Sequence, residues 1–247
     1  MNWDEIGPIY CINLSSRPDR KLEAEKIFKK LKINVNFHVV DKHPTDGTQG
    51  CFESHIQVIN KAYDSGAQRC LVFEDDATPT DACTKQNFNI ALSFMNRNKD
   101  WNVFYLGVLP DIRRKPCKVI EKQIYSLQGI CTHAYVINRP FMEKLYNMKY
   151  IGIPIDYLFM QLEHCYAIYP TMFYQGLSKS DIKPNGFIDK FRNEKLVKFY
   201  YGLQEKYAYY IGTPLISPKM MLIIIAIFLV YIFTKNIFYC VCPLFLL

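Results

Sequence analysis

One stretch, Arg69 to Ala77, reads RCLVFEDDA, and in it an apolar run meets three acids without a spacer. Cys70, Leu71, Val72 and Phe73 do not alternate with polar residues, which is the pattern of a short strand covered by helices on both faces. The stretch therefore predicts an α/β sheet. Glu74, Asp75 and Asp76 fall at the carboxyl end of that strand, the edge at which open α/β sheets bind ligands. Adjacent carboxylates repel one another unless a cation or good donors offset the charge. A divalent ion carrying a phosphate is one solution, and an acidic cap turned to water is the other.

The residues before this strand repeat a strand and helix alternation. Ile6 to Leu14 reads as a strand. It leads into SSRPDR and a helix with Ser16 as its cap, Pro18 in its first turn and Ala24, Ile27, Phe28 and Leu31 on one face. Asn34 to Val40 is the next strand and ends at Asp41. After a loop, KHPTDGTQG, a helix is marked by Phe52, Ile56, Ile59 and Tyr63 and is stopped by Gly66. Ser54 and His55 stand at its start, Ser54 as a cap and His55 as a hydrogen-bonded structural histidine. Three strands and two helices within the first 76 residues describe a mainly parallel, nucleotide-binding sheet. No GxGxxG or GxxxxGK[ST] accompanies them, which disfavours dinucleotide and P-loop binding.

Farther on, Phe88, Ala91, Leu92 and Met95 define a helix and WNVFYLG at 101–107 a buried strand. DIRRKPCKV reads as a loop, Lys118 to Leu127 and Ile130 to Asn138 as extended segments, and Pro140 opens the helix FMEKLYNM. A last short helix, IDYLFMQL, carries Asp156 off its apolar face, either as a functional acid or as a partner of the helix dipole.

Charge and cysteine usage exclude several classes. Residues 1–182 hold 22 Lys and Arg against 20 Asp and Glu, whereas 183–219 hold 7 against 3, so the main domain lacks the basic excess of a nucleic-acid binder. Nine cysteines without CxxC or Cys/His spacing suggest reduced thiols, not a disulfide framework or a zinc site. The opening MNWDEIGPIY has no basic and apolar signal pattern, so Asn13 in the sequon NLS is expected to be unglycosylated.

Six pieces in order, INLSSRPDR at 12–20, GCFESH at 50–55, LVFEDDA at 71–77, YLG at 105–107, THAYVINR at 132–139 and PID at 154–156, resemble glycosyltransferase family 25. The likeness covers roughly residues 6–182. That family includes lipooligosaccharide galactosyltransferases and enzymes that glycosylate collagen hydroxylysine. The resemblance implies a GT-A-like fold, a UDP-sugar donor, a metal ion (Mn²⁺ or Mg²⁺), and a hydroxyl acceptor on a glycan or protein. It places Glu74 and Asp76 at the outer positions of a DxD-like metal motif, with Asp76 coordinating directly and Asp75 in support. Asn13, Arg17 and Arg20 are placed to meet the nucleotide, and Asp41 to accept from its ribose. His133 lines the sugar pocket or approaches the metal, or else hydrogen-bonds within the fold. Asp156 matches the acid of the late PVD-like motif and is the expected base in an inverting transfer.

The chain thus divides into a glycosyltransferase-like domain at 1–182, a basic aromatic segment at 183–219 and a hydrophobic tail at 220–247. In the segment Leu196, Phe199, Tyr200 and Leu203 form one helical stripe, suited to an anionic membrane or to packing on the domain. Met220 to Phe233 is wholly apolar and is followed by Thr234, Lys235, Asn236 and a second apolar stretch. A transmembrane tail is expected, with its basic flank holding the catalytic domain on the cytoplasmic side. The competing functions are a hexosyltransferase, a catalytically degenerate glycosyltransferase fold used as a membrane-bound binding protein, and a metal-dependent phosphotransferase or hydrolase.

Overall fold

The computed structural model describes residues 1–110 and 118–176. Most of the expected loop at 111–119, the basic segment at 183–219 and the tail at 220–247 lie outside these residues. Among the described residues no helix is long and apolar enough to cross a membrane.

The first half follows the alternation read from the sequence. A short 3₁₀ turn, Trp3–Ile6, precedes strand β1 (Ile9–Leu14), helix α1 (Pro18–Leu31), β2 (Asn36–Val40), α2 (Gly47–Asp64) and β3 (Arg69–Glu74). β1 lies between β2 and β3 and is parallel to both. Cys70 to Phe73 are fully buried, as the unbroken apolar run requires. Alternate residues of β3 feed two cores: Leu71 and Phe73 pack with Trp3, Phe28 and Phe88 on one face, and Cys70 and Val72 with Phe52, Ile59 and Tyr135 on the other. Each face is apolar enough to hold its own layer of helices.

Two helix starts differ from the sequence reading. Ser16 does not cap α1; Arg17 is the N-cap, without a side-chain cap bond, and Pro18 sets the first turn. Helix α2 begins at Gly47, so the last four residues of the expected loop are helical. The reason is Asp46, whose carboxylate accepts from the Thr48 N–H at 2.8 Å and caps the helix a full turn before its first buried aromatic. Ser54 is accordingly inside the helix, and its hydroxyl donates to the Gly50 carbonyl at 2.6 Å.

Strand β4 (Ala77–Pro79), α3 (Lys85–Arg97), β5 (Val103–Pro110), β6 (Lys118–Glu121), β7 (Ile124–Ser126), β8 (Gly129–Asn138), α4 (Arg139–Leu145), α5 (Ile155–Phe159), β9 (Cys165–Ile168) and β10 (Phe173–Gln175) complete the described order. The segment read as one extended piece, 118–127, is a hairpin that turns at Gln123, where φ is 64°. The large sheet has the order β2-β1-β3-β8-β5-β9-β7-β6, and β8 runs antiparallel between β3 and β5. A separate two-stranded piece, β10 with β4, lies beyond the acidic end of β3. The six cysteines among the described residues are all free thiols.

Gly107 sits at a bulge of β5 where the backbone passes close to another segment. A Cβ there would meet the Phe173 carbonyl oxygen at 2.5 Å and the ring of His133 closer still. Gly107→Ala is therefore expected to cost about 2 kcal/mol by overpacking, read as a lower denaturant midpoint with an unchanged slope. A midpoint equal to that of the wild type would show that the bulge is looser than this packing implies.

Candidate functional site

The carboxyl ends of β1, β2 and β3 and the first turns of α2 enclose an open cleft. Ile12, Asn13 and Leu14 come from β1, Arg20 from α1, Val40 and Asp41 from the end of β2, and Glu74, Asp75 and Asp76 from the end of β3. The cleft is thus where a parallel sheet presents its loops.

The three acids do not converge on one point. Asp75 turns toward α1, where its Oδ1 accepts from Arg20 Nη1 at 2.8 Å and its Oδ2 from Asn13 Nδ2 at 2.7 Å. Both members of this ion pair are largely shielded from solvent, with side-chain exposures of 12% and 7%. Burial pushes the Asp75 carboxyl above its ordinary value, and Arg20 and Asn13 pull it back only in part. Asp76 Oδ2 lies 3.5 Å from the same Arg20 nitrogen. Glu74 turns toward β8 and α2: it accepts from Thr132 Oγ1 at 2.8 Å and has His55 Nε2 at 3.6 Å. Burial alone would raise the Glu74 carboxyl, but His55 and Thr132 hold it below its ordinary value.

The other expected residues occupy varied surroundings. Asn13 is 2% exposed, and its amide also donates to the Arg17 carbonyl at 3.1 Å, so it braces Asp75 and the start of α1 from inside. Arg17 pairs with Asp19 at 2.9 Å and holds that carboxyl down to about 2. Arg17 is not among the residues of the cleft wall, whereas Arg20 is. Asp41 lines the cleft and accepts from the Ser15 hydroxyl at 2.5 Å. His133 is completely buried, with Nε2 3.3 Å from the Phe173 carbonyl, and desolvation lowers its basicity. Asp156 opens α5, where its Oδ1 accepts from the Tyr157 N–H at 2.9 Å. Burial raises the Asp156 carboxyl above its ordinary value, and Glu74 adds to the rise.

The family model described as "Glycosyltransferase family 25 (LPS biosynthesis protein)" matches residues 38–159, which contain Asp41, the three acids, His133 and Asp156. Residues 38–159 match glycosyltransferase family 25. Among similar proteins, procollagen galactosyltransferase 1 of Danio rerio is 29% identical over 118 residues, 45% of this chain and 19% of that protein. Procollagen galactosyltransferase 1-B of Xenopus laevis is 25% identical over 191 residues, 63% of this chain and 30% of that protein. The chain therefore spans a third or less of the length of these relatives. Among solved structures, A197 from STIV aligns with a TM-score of 0.46 at 14% identity, covering 65% of this chain and 81% of that one.

The cleft also contains residues that the sequence reading passed over. Lys42 and His43 line it from the loop after β2, Gly47 and Gly50 from the first turn of α2, and Gln175 reaches it from β10. A cap signal was present in the sequence at Asp46, three residues before Gln49. His55 needs a correction: its Nδ1 is satisfied by the Tyr135 hydroxyl at 2.9 Å, but its Nε2 has no hydrogen-bond partner.

Proposed function

We propose that this domain transfers a hexose, galactose or glucose, from a UDP-sugar to a hydroxyl of a glycan or protein, with inversion at the anomeric carbon. The family 25 match over residues 38–159 supports glycosyl transfer, and one observation carries the assignment to this cleft: Arg20, Asp41 and the Glu74 to Asp76 run meet at the carboxyl edge of β1, β2 and β3. Arg20 is fixed by Asp75 with one face of its guanidinium fork, and its charge suits a diphosphate at the mouth of the sheet. Asp41 offers an acceptor for a ribose hydroxyl.

Among the described residues no group of three or more His, Cys, Asp or Glu comes together to hold a metal ion. The donor set still fits Mn²⁺ or Mg²⁺ shared with a diphosphate, because both ions take carboxylate oxygens and leave positions for substrate phosphates. Asp76 is the residue proposed to hold the ion, Glu74 stands beside it in the motif, and Asp75 supports through Arg20. When bound, the ion would supply charge to the leaving diphosphate. Asp156 is the proposed base for the acceptor hydroxyl, and burial prepares it for that role by raising its proton affinity.

A second reading, a binding module on a degenerate glycosyltransferase fold, draws on the divergence of the acidic run, in which Asp75 is tied to Arg20 and Glu74 to Thr132. Incubating the full chain with a panel of nucleotide sugars, with and without Mn²⁺, and measuring released nucleotide separates the two. Release from one UDP-hexose that needs the ion supports the transferase; binding without release under any acceptor supports the module. The two apolar stretches within 220–247 and their basic flank support membrane attachment with the domain on the cytoplasmic side, a placement tested by protease digestion of sealed vesicles.

Asp156→Asn is expected to lower turnover about 100-fold or more while changing donor affinity little, since a base acts on the attacking hydroxyl and not on the donor. The wild type should lose kcat/KM on acidification with an apparent pKa above that of an ordinary carboxylate, because burial raises Asp156 and the base works only when ionised. Rapid-quench kinetics across pH check both, and an equal loss of donor affinity in the variant would point to a binding role instead.

A further inference from the structure

His55 is 1% exposed and lines the cleft, yet its Nε2 has no hydrogen-bond partner. Its ring is held in place: Nδ1 lies 2.9 Å from the buried Tyr135 hydroxyl, and the two rings stack at 5.7 Å between centroids. A buried phenol must place its proton on an acceptor, and Nδ1 is the one in reach. When the Tyr135 hydroxyl donates there, the other nitrogen carries the proton and faces Glu74, a neighbour in the cleft wall. The nearest carboxylate oxygen, Glu74 Oε1, is 3.6 Å away, too far for a hydrogen bond. Glu74 does not swing closer because Thr132 Oγ1 holds the same oxygen at 2.8 Å.

A buried donor and a partly buried acceptor thus stand side by side, too far apart to bond to each other. We propose that His55 Nε2–H and Glu74 together bind one hydroxyl group of the nucleotide-sugar donor, so that His55 is a specificity-determining residue. A hydroxyl accepts from the imidazole N–H and donates to the carboxylate at once, with about 2.8 Å to each, which a 3.6 Å separation allows. A phosphate oxygen would satisfy His55 but bring its charge against Glu74. A methylene would leave both groups unpaired. The site also divides the work of the acidic run: Glu74 reads a hydroxyl, Asp75 fixes Arg20, and Asp76 is the residue proposed for the ion.

This inference rests on the reading of the cleft as a UDP-hexose site. The test is calorimetric titration of the full chain with UDP-galactose, UDP-glucose and analogues of each lacking one hydroxyl of the hexose or of the ribose. One analogue is expected to bind about 10- to 100-fold more weakly than its parent, and its position tells whether the ribose or the hexose is read. His55→Phe, which keeps the ring volume, should bind the parent more weakly by a similar factor and no longer distinguish parent from analogue. His55→Gln, which retains an N–H donor, should recover part of the distinction. Wild-type affinity unaffected by every single deoxygenation would overturn the inference without any variant. So would a folded His55→Phe that discriminates as the wild type does. A wild type that binds no UDP-hexose would overturn the donor reading itself, and this inference with it.

Discussion

Asp76→Asn is expected to reduce ion-dependent transfer by about 100- to 1,000-fold, the scale of losing one preorganised charge at the reacting phosphate. The fold should survive, because the backbone at this point is held independently: the Asp76 carbonyl accepts from the Gly176 N–H at 2.7 Å, and Ala77 pairs with Gln175 across β4 and β10. The substitution keeps the volume and changes the charge. Metal titration followed by initial rates checks the prediction, with the expected signature a large rise in the concentration of Mn²⁺ needed for half-maximal rate. Wild-type turnover with an unchanged metal requirement would remove Asp76 from the ion site.

The second large effect is on stability. Arg20→Met is expected to destabilise the domain by about 3 kcal/mol, because it leaves the Asp75 carboxylate shielded from water without its cation. Asn13 would remain as a partner, but a neutral amide does not offset the charge. The pH dependence has a defined sign. Burial already places Asp75 above its ordinary value with Arg20 present, and removing Arg20 takes away the main influence that lowers it. A carboxyl whose folded pKa is raised costs the fold most when it is ionised, above both its folded and unfolded pKa. The gap between wild type and variant should therefore be widest near neutral pH and shrink as the pH falls and Asp75 takes up a proton. Thermal melts at pH 7.5 and 5 measure this directly. A gap that stays constant would mean that Arg20 stabilises by packing its stem and not by its charge.

The two predictions separate neighbours in one acidic run. Asp76→Asn is an activity lesion that spares the fold, whereas Arg20→Met is expected to lower stability as well as donor binding, since Arg20 Nη1 approaches both Asp75 and Asp76. If instead Arg20→Met leaves the melt unchanged and abolishes donor binding, the arginine serves the ligand first and the ion pair second.

Burial periodicity carried most of the architecture. The unbroken run Cys70 to Phe73 specified a strand covered on both faces, and the spacing of Ala24 and Phe28, or of Phe52, Ile56 and Ile59, specified the helix faces that cover it. These are local statements, since a residue's place on a strand or helix depends on its near neighbours in sequence. The acids at the end of β3 were legible for the same reason: a strand that stops at its carboxyl edge puts the next residues at the ligand-binding rim.

Which partner each acid takes was decided only by the tertiary structure. Asp75 meets Asn13 and Arg20 from 62 and 55 positions away, and His55 meets Tyr135 across 80. The antiparallel insertion of β8 beside β3 brings Thr132 to Glu74, and no pattern within either strand encodes that pairing. The half-satisfied state of His55 belongs to the same class. A sequence shows that a histidine lies on a buried helix face, but whether its second nitrogen finds a partner depends on distances set when the sheet closes, and here the nearest carboxylate stops 3.6 Å away.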